Sequence, residues 1–230
     1  MTIYSALDHA IPVVFQSALL TAALVVASGL LVRRQLLAGG VLPDEGITLR
    51  NIVEGIVEFL ADLGNGIMGD RARDHMGLVC SIFFFVLIAN LLGLIPGFGG
   101  PTSFVETAAA WAIISFVAYN YIGIKAHGWH YVNHFMGPAF EIGGRHIRAA
   151  APFFFPLEVI LHFARIATLT IRLFANMFAD HMVVAVWIGL VPFAVPAVFM
   201  GLGTFIAFLQ AFVFALLTMI YIGGALEEAH

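Results

Sequence analysis

The sequence predicts an all-α membrane protein with about five membrane helices and one interfacial amphipathic helix. Three observations carry that class. The 230 residues are 61% hydrophobic and only 10% charged, against roughly 25% charged in a soluble domain. Apolar runs recur that are long enough for a hydrocarbon core of about 30 Å, which takes about 20 helical residues. The basic residues gather in two of the segments between those runs. A net charge of −4 carries no sign of nucleic-acid binding, and no nucleic-acid partner is expected. Cys80 is the single cysteine, so no internal disulfide can form. The chain reads as one polytopic domain with membrane lipid as its solvent.

Residues 11–32 form the first span, with Gln16 inside it and Arg33 and Arg34 marking its exit. No basic region precedes it, so a cleaved signal peptide is not expected. Residues 39–46 are rich in Gly, Pro and acidic residues and read as a turn. Residues 48–68 place Ile52, Ile56, Phe59, Leu60, Leu63 and Ile67 on one helical face, with Arg50, Glu54, Glu58 and Asp62 mostly opposite. That pattern suits a helix on the membrane surface or one packed against the other helices, and both can hold.

Residues 75–96 form the second span, stopped by the Pro and Gly residues of 96–101. Its strongly polar interior residue, Asn90, is expected to hydrogen-bond a neighbouring helix. Residues 107–124 form the third span, with Trp111, Tyr119 and Tyr121, whose aromatic rings near its end suit an interfacial belt. A polar loop follows, Lys125 to Arg148, with His127, His130, His134 and His146. In the run HGWHYVNH, His127 to His134, histidines three or four apart can share a metal, but no cysteine or carboxylate completes a set within that short run, and no metal or cofactor is expected.

Residues 153–187 organise the chain. They are apolar enough for a bilayer, yet carry Glu158, His162, Arg165, Arg172, Asn176, Asp180 and His181. As one helix of about 35 residues they span roughly 50 Å, so the helix is strongly tilted or runs past the membrane. At roughly 100° per residue, positions 158, 162, 165, 172, 176 and 180 fall within a band about 80° wide. A charge facing lipid costs roughly 2.5–3.5 kcal/mol on the lenient insertion scales, so this face looks at water, protein or another charge. A structural ion pair of Glu158 with Arg165 is the plain reading; an ion pathway is the functional one. After a break at 189–192 and Pro196, residues 197–222 form the last apolar helix, with Gln210 at its middle.

Arg33, Arg34, Arg50, Arg71 and Arg73 follow the first span, and Lys125, Arg145 and Arg148 follow the third. The N-terminal segment and the 97–106 and 188–196 turns have no basic residue. The positive-inside rule therefore puts the N-terminus outside, both basic segments inside and the C-terminus inside, which five crossings satisfy. No internal repeat is visible, unlike many secondary transporters.

Glu158, the RLFANM run from Arg172, the LQAFVF run around Gln210, Tyr221 and the NLLGLIPG run from Asn90 resemble subunit a of the F-type ATP synthase over roughly residues 75–222. The paired RLFAN and LQAFVF motifs at this separation are highly specific. The resemblance implies that the last two helices form a long tilted hairpin against a rotating ring of c subunits, with peripheral-stalk b subunits as further partners. It implies that Arg172 is the essential arginine facing the ring carboxylates. Asn176 and Gln210 would line its site. Glu158 and His162 would serve the inner half-channel, and Asp180 and His181 the outer one. It further implies a bacterial plasma membrane, or an organelle inner membrane, with the coupling ion selected by the ring.

Arginine stays protonated in a protein, so under this reading Arg172 favours an ionised carboxylate without relaying its proton. The chain departs from the family pattern twice. Gly203 stands where relatives often have His or Glu, so Asp180 or water in the space is expected to replace that side chain. Ile166 stands where relatives often have proline, so the helix is expected to be straighter. Two other classes compete. A carrier working alone would use the same polar face as its own pore. An intramembrane enzyme finds no HExxH, no GxSxG in a span and no paired membrane aspartates.

Overall fold

The computed structural model describes residues 12–39, 48–95, 100–128, 140–142, 145–147, 151–190 and 194–226, with the side chains at 38–39, 140–147, 151–155, 158–159 and 194 left out. Among the described residues six α-helices follow in order: α1 (Val13–Gly39), α2 (Leu49–Met68), α3 (Ala72–Leu94), α4 (Val105–His127), α5 (Ala151–Leu190) and α6 (Ala194–Leu226). Five helical stretches among the described residues are long and apolar enough to cross a membrane. Between α4 and α5, within the segment expected as loop, lies a short antiparallel hairpin of β1 (Phe140–Ile142) and β2 (Arg145–Ile147), with Phe140 opposite Ile147. Apart from that hairpin the expected all-helical class holds.

Helix ends follow local chemistry. Thr48 caps α2, its Oγ1 accepting the Asn51 N–H at 3.3 Å. Gly69, at φ 62°, ends α2 in a backbone region that L side chains avoid, and one 3₁₀ turn (Gly69–Arg71) leads directly into α3. Pro196, expected to break the chain before the last helix, lies instead in the first turn of α6. There the backbone N–H it lacks has no intrahelical partner to lose. The helices on either side run to Leu190 and from Ala194, so the break expected over 188–196 is narrowed to the segment between those two residues.

Helix α2 packs its apolar side inward: Leu60 is fully buried, and Ile56, Leu63 and Ile67 lie against the core. One expectation about its polar side fails. Arg50 is 0% exposed, with its Nε donating to Glu54 Oε1 at 2.9 Å, one turn on. A buried cation so close to a carboxylate avoids the cost of an unpaired charge, which the helical wheel alone does not reveal. Ile52 and Phe59, placed on the apolar face, are about half exposed.

The centre of the bundle is built from small residues. Ala207, Ala211 and Ala215 of α6 and Ala108 and Ala112 of α4 are all buried at four-residue intervals. Such stripes let helix backbones approach closely where apolar burial gives no drive in lipid. Ser115 and Thr218 hydrogen-bond across α4 and α6 at 3.2 Å. Asn90 of α3 donates its amide to the Ala207 carbonyl at 3.4 Å, as expected of a polar residue inside a span. Tyr119, expected at an aromatic belt, is buried among Phe116, His162 and Tyr221, whereas Tyr121 is exposed.

Candidate functional site

Helix α5 runs unbroken for 40 residues, roughly 60 Å, and Ile166 lies within it with its backbone donor intact. Its polar band does not face a single environment. Leu169, Leu173 and Met177 are buried and define the side turned toward the bundle. His162 and Asp180 lie at the edge of the band nearest them, and Arg172 at the far edge, about 80° away. His162 is accordingly buried, Asp180 half-buried and Arg172 exposed. The wheel grouped these residues, and only the packing of α5 separates them.

Arg172 is exposed and makes no hydrogen bond or ion pair with a described residue. One turn on, Asn176 Nδ2 donates to Gln210 Oε1 of α6 at 2.8 Å. Gln210 is 5% exposed, and its Nε2 has no partner among the described residues. A buried amide donor in this state is a site for water or for an incoming acceptor. A permanent cation one helical turn from the residue that bonds this amide, together with the amide's own N–H, supplies the kinds of donor that hold a carboxylate.

Going toward the basic-free end of the hairpin, Gly203 and Ala207 precede Gln210 on nearly the same face of α6, at three- and four-residue steps. Asp180 Oδ2 lies 3.4 Å from where a Cβ of Gly203 would be, and it too is buried without a partner among the described residues. Asn90 Oδ1, facing the same helix near Ala207, is in the same state. Asp180, Asn90 and Gln210 thus present three buried polar atoms along one line of α6. Such atoms are ordinarily satisfied by water.

His181 turns away from that line. Its Nε2 hydrogen-bonds the Gly93 carbonyl at the end of α3, and its Nδ1 lies 3.3 Å from Ser103 Oγ in the Pro101–Ser103 turn. The turn reaches the ring because Gly100 sits directly on Gly93: a Cβ at Gly100 would fall 2.5 Å from Gly93 Cα. Sequence reasoning missed Ser103 and both glycines as parts of the site. Only the lack of side chains at 93 and 100 within a Pro- and Gly-rich turn could have pointed to a close approach.

At the other end, Arg165 places its guanidinium 4.9 Å from the Tyr221 ring centroid, a cation–π contact. Tyr119 and His162 complete this cluster. The expected ion pair of Arg165 with Glu158 involves a side chain outside the described residues; Glu158 itself lies on α5, 14 positions before Arg172. His130 and His134, weighed as metal ligands, also lie outside the described residues, and no group of three potential metal-binding side chains occurs among those described.

Comparison with known sequences resolves the family. The model of the ATP synthase A chain matches residues 15–223. The chain belongs to the ATP synthase A chain family. ATP synthase subunit a of Trichlorobacter lovleyi is 44% identical over 182 residues, which is 79% of this chain and 76% of that protein. ATP synthase subunit a 1 of Pelobacter propionicus is 45% identical and subunit a of Geobacter sulfurreducens 41% identical, with the same coverage. Membership in this family agrees with the five membrane-length helices and makes the chain a membrane component of an ATP synthase complex. Within the family frame, the cation, the two amides and the buried carboxylate described above all belong to the final two helices, α5 and α6.

Proposed function

We propose that this chain is the stator channel of a rotary ATP synthase, coupling proton flow through two half-channels to rotation of a c-subunit ring. Peripheral-stalk b subunits would hold it against rotation, in a bacterial plasma membrane. The observation that carries this reading is the exposed Arg172 on the open side of the α5–α6 hairpin, one turn from the Asn176–Gln210 bond. A guanidinium at mid-helix with no partner among the described residues, where a lipid-facing charge is costly, calls for a mobile anionic partner. A ring carboxylate fits. Facing Arg172 it ionises, because a nearby cation favours the charged form, while the Gln210 amide donates to it.

The outer half-channel would follow Asp180, Asn90 and Gln210 along α6, with His181 at its mouth. Asp180 Oδ2 beside Gly203 takes the place of the side chain that Gly203 lacks. The inner half-channel would run from Glu158 past His162. Arg172 stands between them. A carboxylate that has passed it is re-protonated from the other channel and enters lipid neutral, and its positive charge keeps protons from crossing directly. Each proton moving through about 100 mV delivers roughly 2.3 kcal/mol.

The test is reconstitution. The assembled complex in vesicles should make ATP from an imposed proton gradient, and the purified chain alone should give no coupled transport. Coupled transport by the chain alone would favour the independent carrier.

A further inference from the structure

We propose that Ser103 is the positioning residue for His181, holding its one exchangeable nitrogen and passing protons to it from the outer side. The proposal rests on the reading of His181 as part of the outer half-channel. A carbonyl oxygen only accepts, so the bond between His181 and Gly93 O places a proton on Nε2. That proton is committed to the backbone. In the neutral ring Nδ1 then carries the lone pair and takes the Ser103 hydroxyl proton in a hydrogen bond, at an Oγ–Nδ1 separation of 3.3 Å. All proton exchange at His181 therefore passes through Nδ1, and the Ser103 hydroxyl stands in front of it.

The turn that carries Ser103 joins α3 to α4 on the basic-free side assigned to the outside. Its seat on α3 depends on Gly100 lying against Gly93. Next to Ser103, Thr102 Oγ1 is buried with no partner among the described residues, a second hydroxyl able to hold water at the same place. A hydroxyl both donates and accepts, so it serves both protonation states of the ring.

The transfer balances. A hydronium ion in the outer vestibule gives a proton to Ser103 Oγ as the original hydroxyl proton passes to Nδ1. One water is released, Ser103 is a hydroxyl again and His181 is an imidazolium with both N–H groups bonded. For onward transfer the imidazolium turns its Nδ1–H from Ser103 to a water molecule on the Asp180 side; that water takes the proton as it gives one of its own to the Asp180 carboxylate, which becomes a carboxylic acid, and the neutral ring, still protonated on Nε2, turns back to Gly93 and Ser103.

Threonine and valine have nearly the same shape and differ by the hydroxyl, so they separate relay from packing. In the assembled complex, gradient-driven ATP synthesis in vesicles should fall by at least about tenfold, the low end for lost acid–base assistance, in Ser103→Val and Ser103→Ala. Ser103→Thr should stay within about twofold of wild type. Co-purification of the ring checks assembly, and the alanine variant, which loses only the oxygen, answers the question if the valine variant does not assemble. An assembled Val or Ala variant working within twofold of wild type, beside a His181→Ala variant slowed by about tenfold or more, overturns the role of Ser103 alone. Wild-type rates in His181→Ala as well would overturn the reading of His181 on which it rests.

Discussion

Asn176 donates a 2.8 Å hydrogen bond to the side-chain carbonyl of Gln210 across the α5–α6 hairpin, which leaves the Gln210 amide nitrogen buried and unpartnered among the described residues. The pair therefore has two separable roles, one in packing and one in offering a donor. Asn176→Leu or Gln210→Leu alone strands one amide and should destabilise the complex by about 1 kcal/mol or more. Replacing both removes the stranded group, so the thermal midpoint of the double variant should recover toward wild type. ATP synthesis should not recover with it, because the donor is gone. Recovery of both would reduce the pair to a packing contact.

Arg172 is the sharpest test of the coupling reading. Arg172→Ala should abolish both gradient-driven synthesis and ATP-driven pumping, while passive proton leak persists or rises. Arg172→Lys should also fail in an assembled complex, since lysine lacks the planar fork and loses its proton readily when desolvated. Synthesis by the lysine variant above about half the wild-type rate, a barrier change under roughly 0.5 kcal/mol, would show that charge alone suffices.

Asp180 and His181 are adjacent in sequence but face different partners, Gly203 on α6 and Gly93 with Ser103 at the end of α3. As two stations of one path they should not be redundant. Asp180→Asn with His181→Ala should slow gradient-driven synthesis more than either change alone, read as initial rates in vesicles. A double variant near wild-type rate would remove both from the path.

Two glycines should respond differently to the same added methyl. A Cβ at Gly100 meets backbone, at 2.5 Å from Gly93 Cα, whereas a Cβ at Gly203 meets the far end of Leu94 at 2.6 Å and Asp180 Oδ2 at 3.4 Å. Backbone cannot give way as a leucine tip can, so Gly100→Ala should cost about 1–3 kcal/mol and lower the thermal midpoint of the complex. Gly203→Ala should assemble normally and show its effect in proton flux. Equal thermal shifts would mean that the turn adapts as easily as the side chain.

Glu158 lies 14 residues before Arg172 on one unbroken helix, roughly 21 Å along its axis. Under the proposed function that separation puts it on the inner half-channel and away from the central exchange. Glu158→Gln should lower proton conductance while pumping and synthesis remain coupled. Complete loss of ATP-driven pumping in an assembled complex would move Glu158 into the central step.

Composition and run length determined the membrane class, the number of long helices and their order, because the bilayer imposes its thickness on any chain that crosses it. The motifs around Arg172 and Gln210 carried the family, since strongly polar residues at that spacing and separation are costly and rare in apolar helices. Periodicity grouped Glu158 through Asp180 on one band but could not divide it, because a helical wheel has no neighbours. Packing of Leu169, Leu173 and Met177 into the bundle turned Arg172 outward and His162 inward. The burial of Arg50 and Tyr119, the bond between Asn176 and Gln210, and the approach of Gly100 to Gly93 that brings Ser103 to His181 all join residues distant in sequence or rely on a side chain that is missing. Such contacts are decided only when the helices close on one another, and no local pattern in the sequence records them.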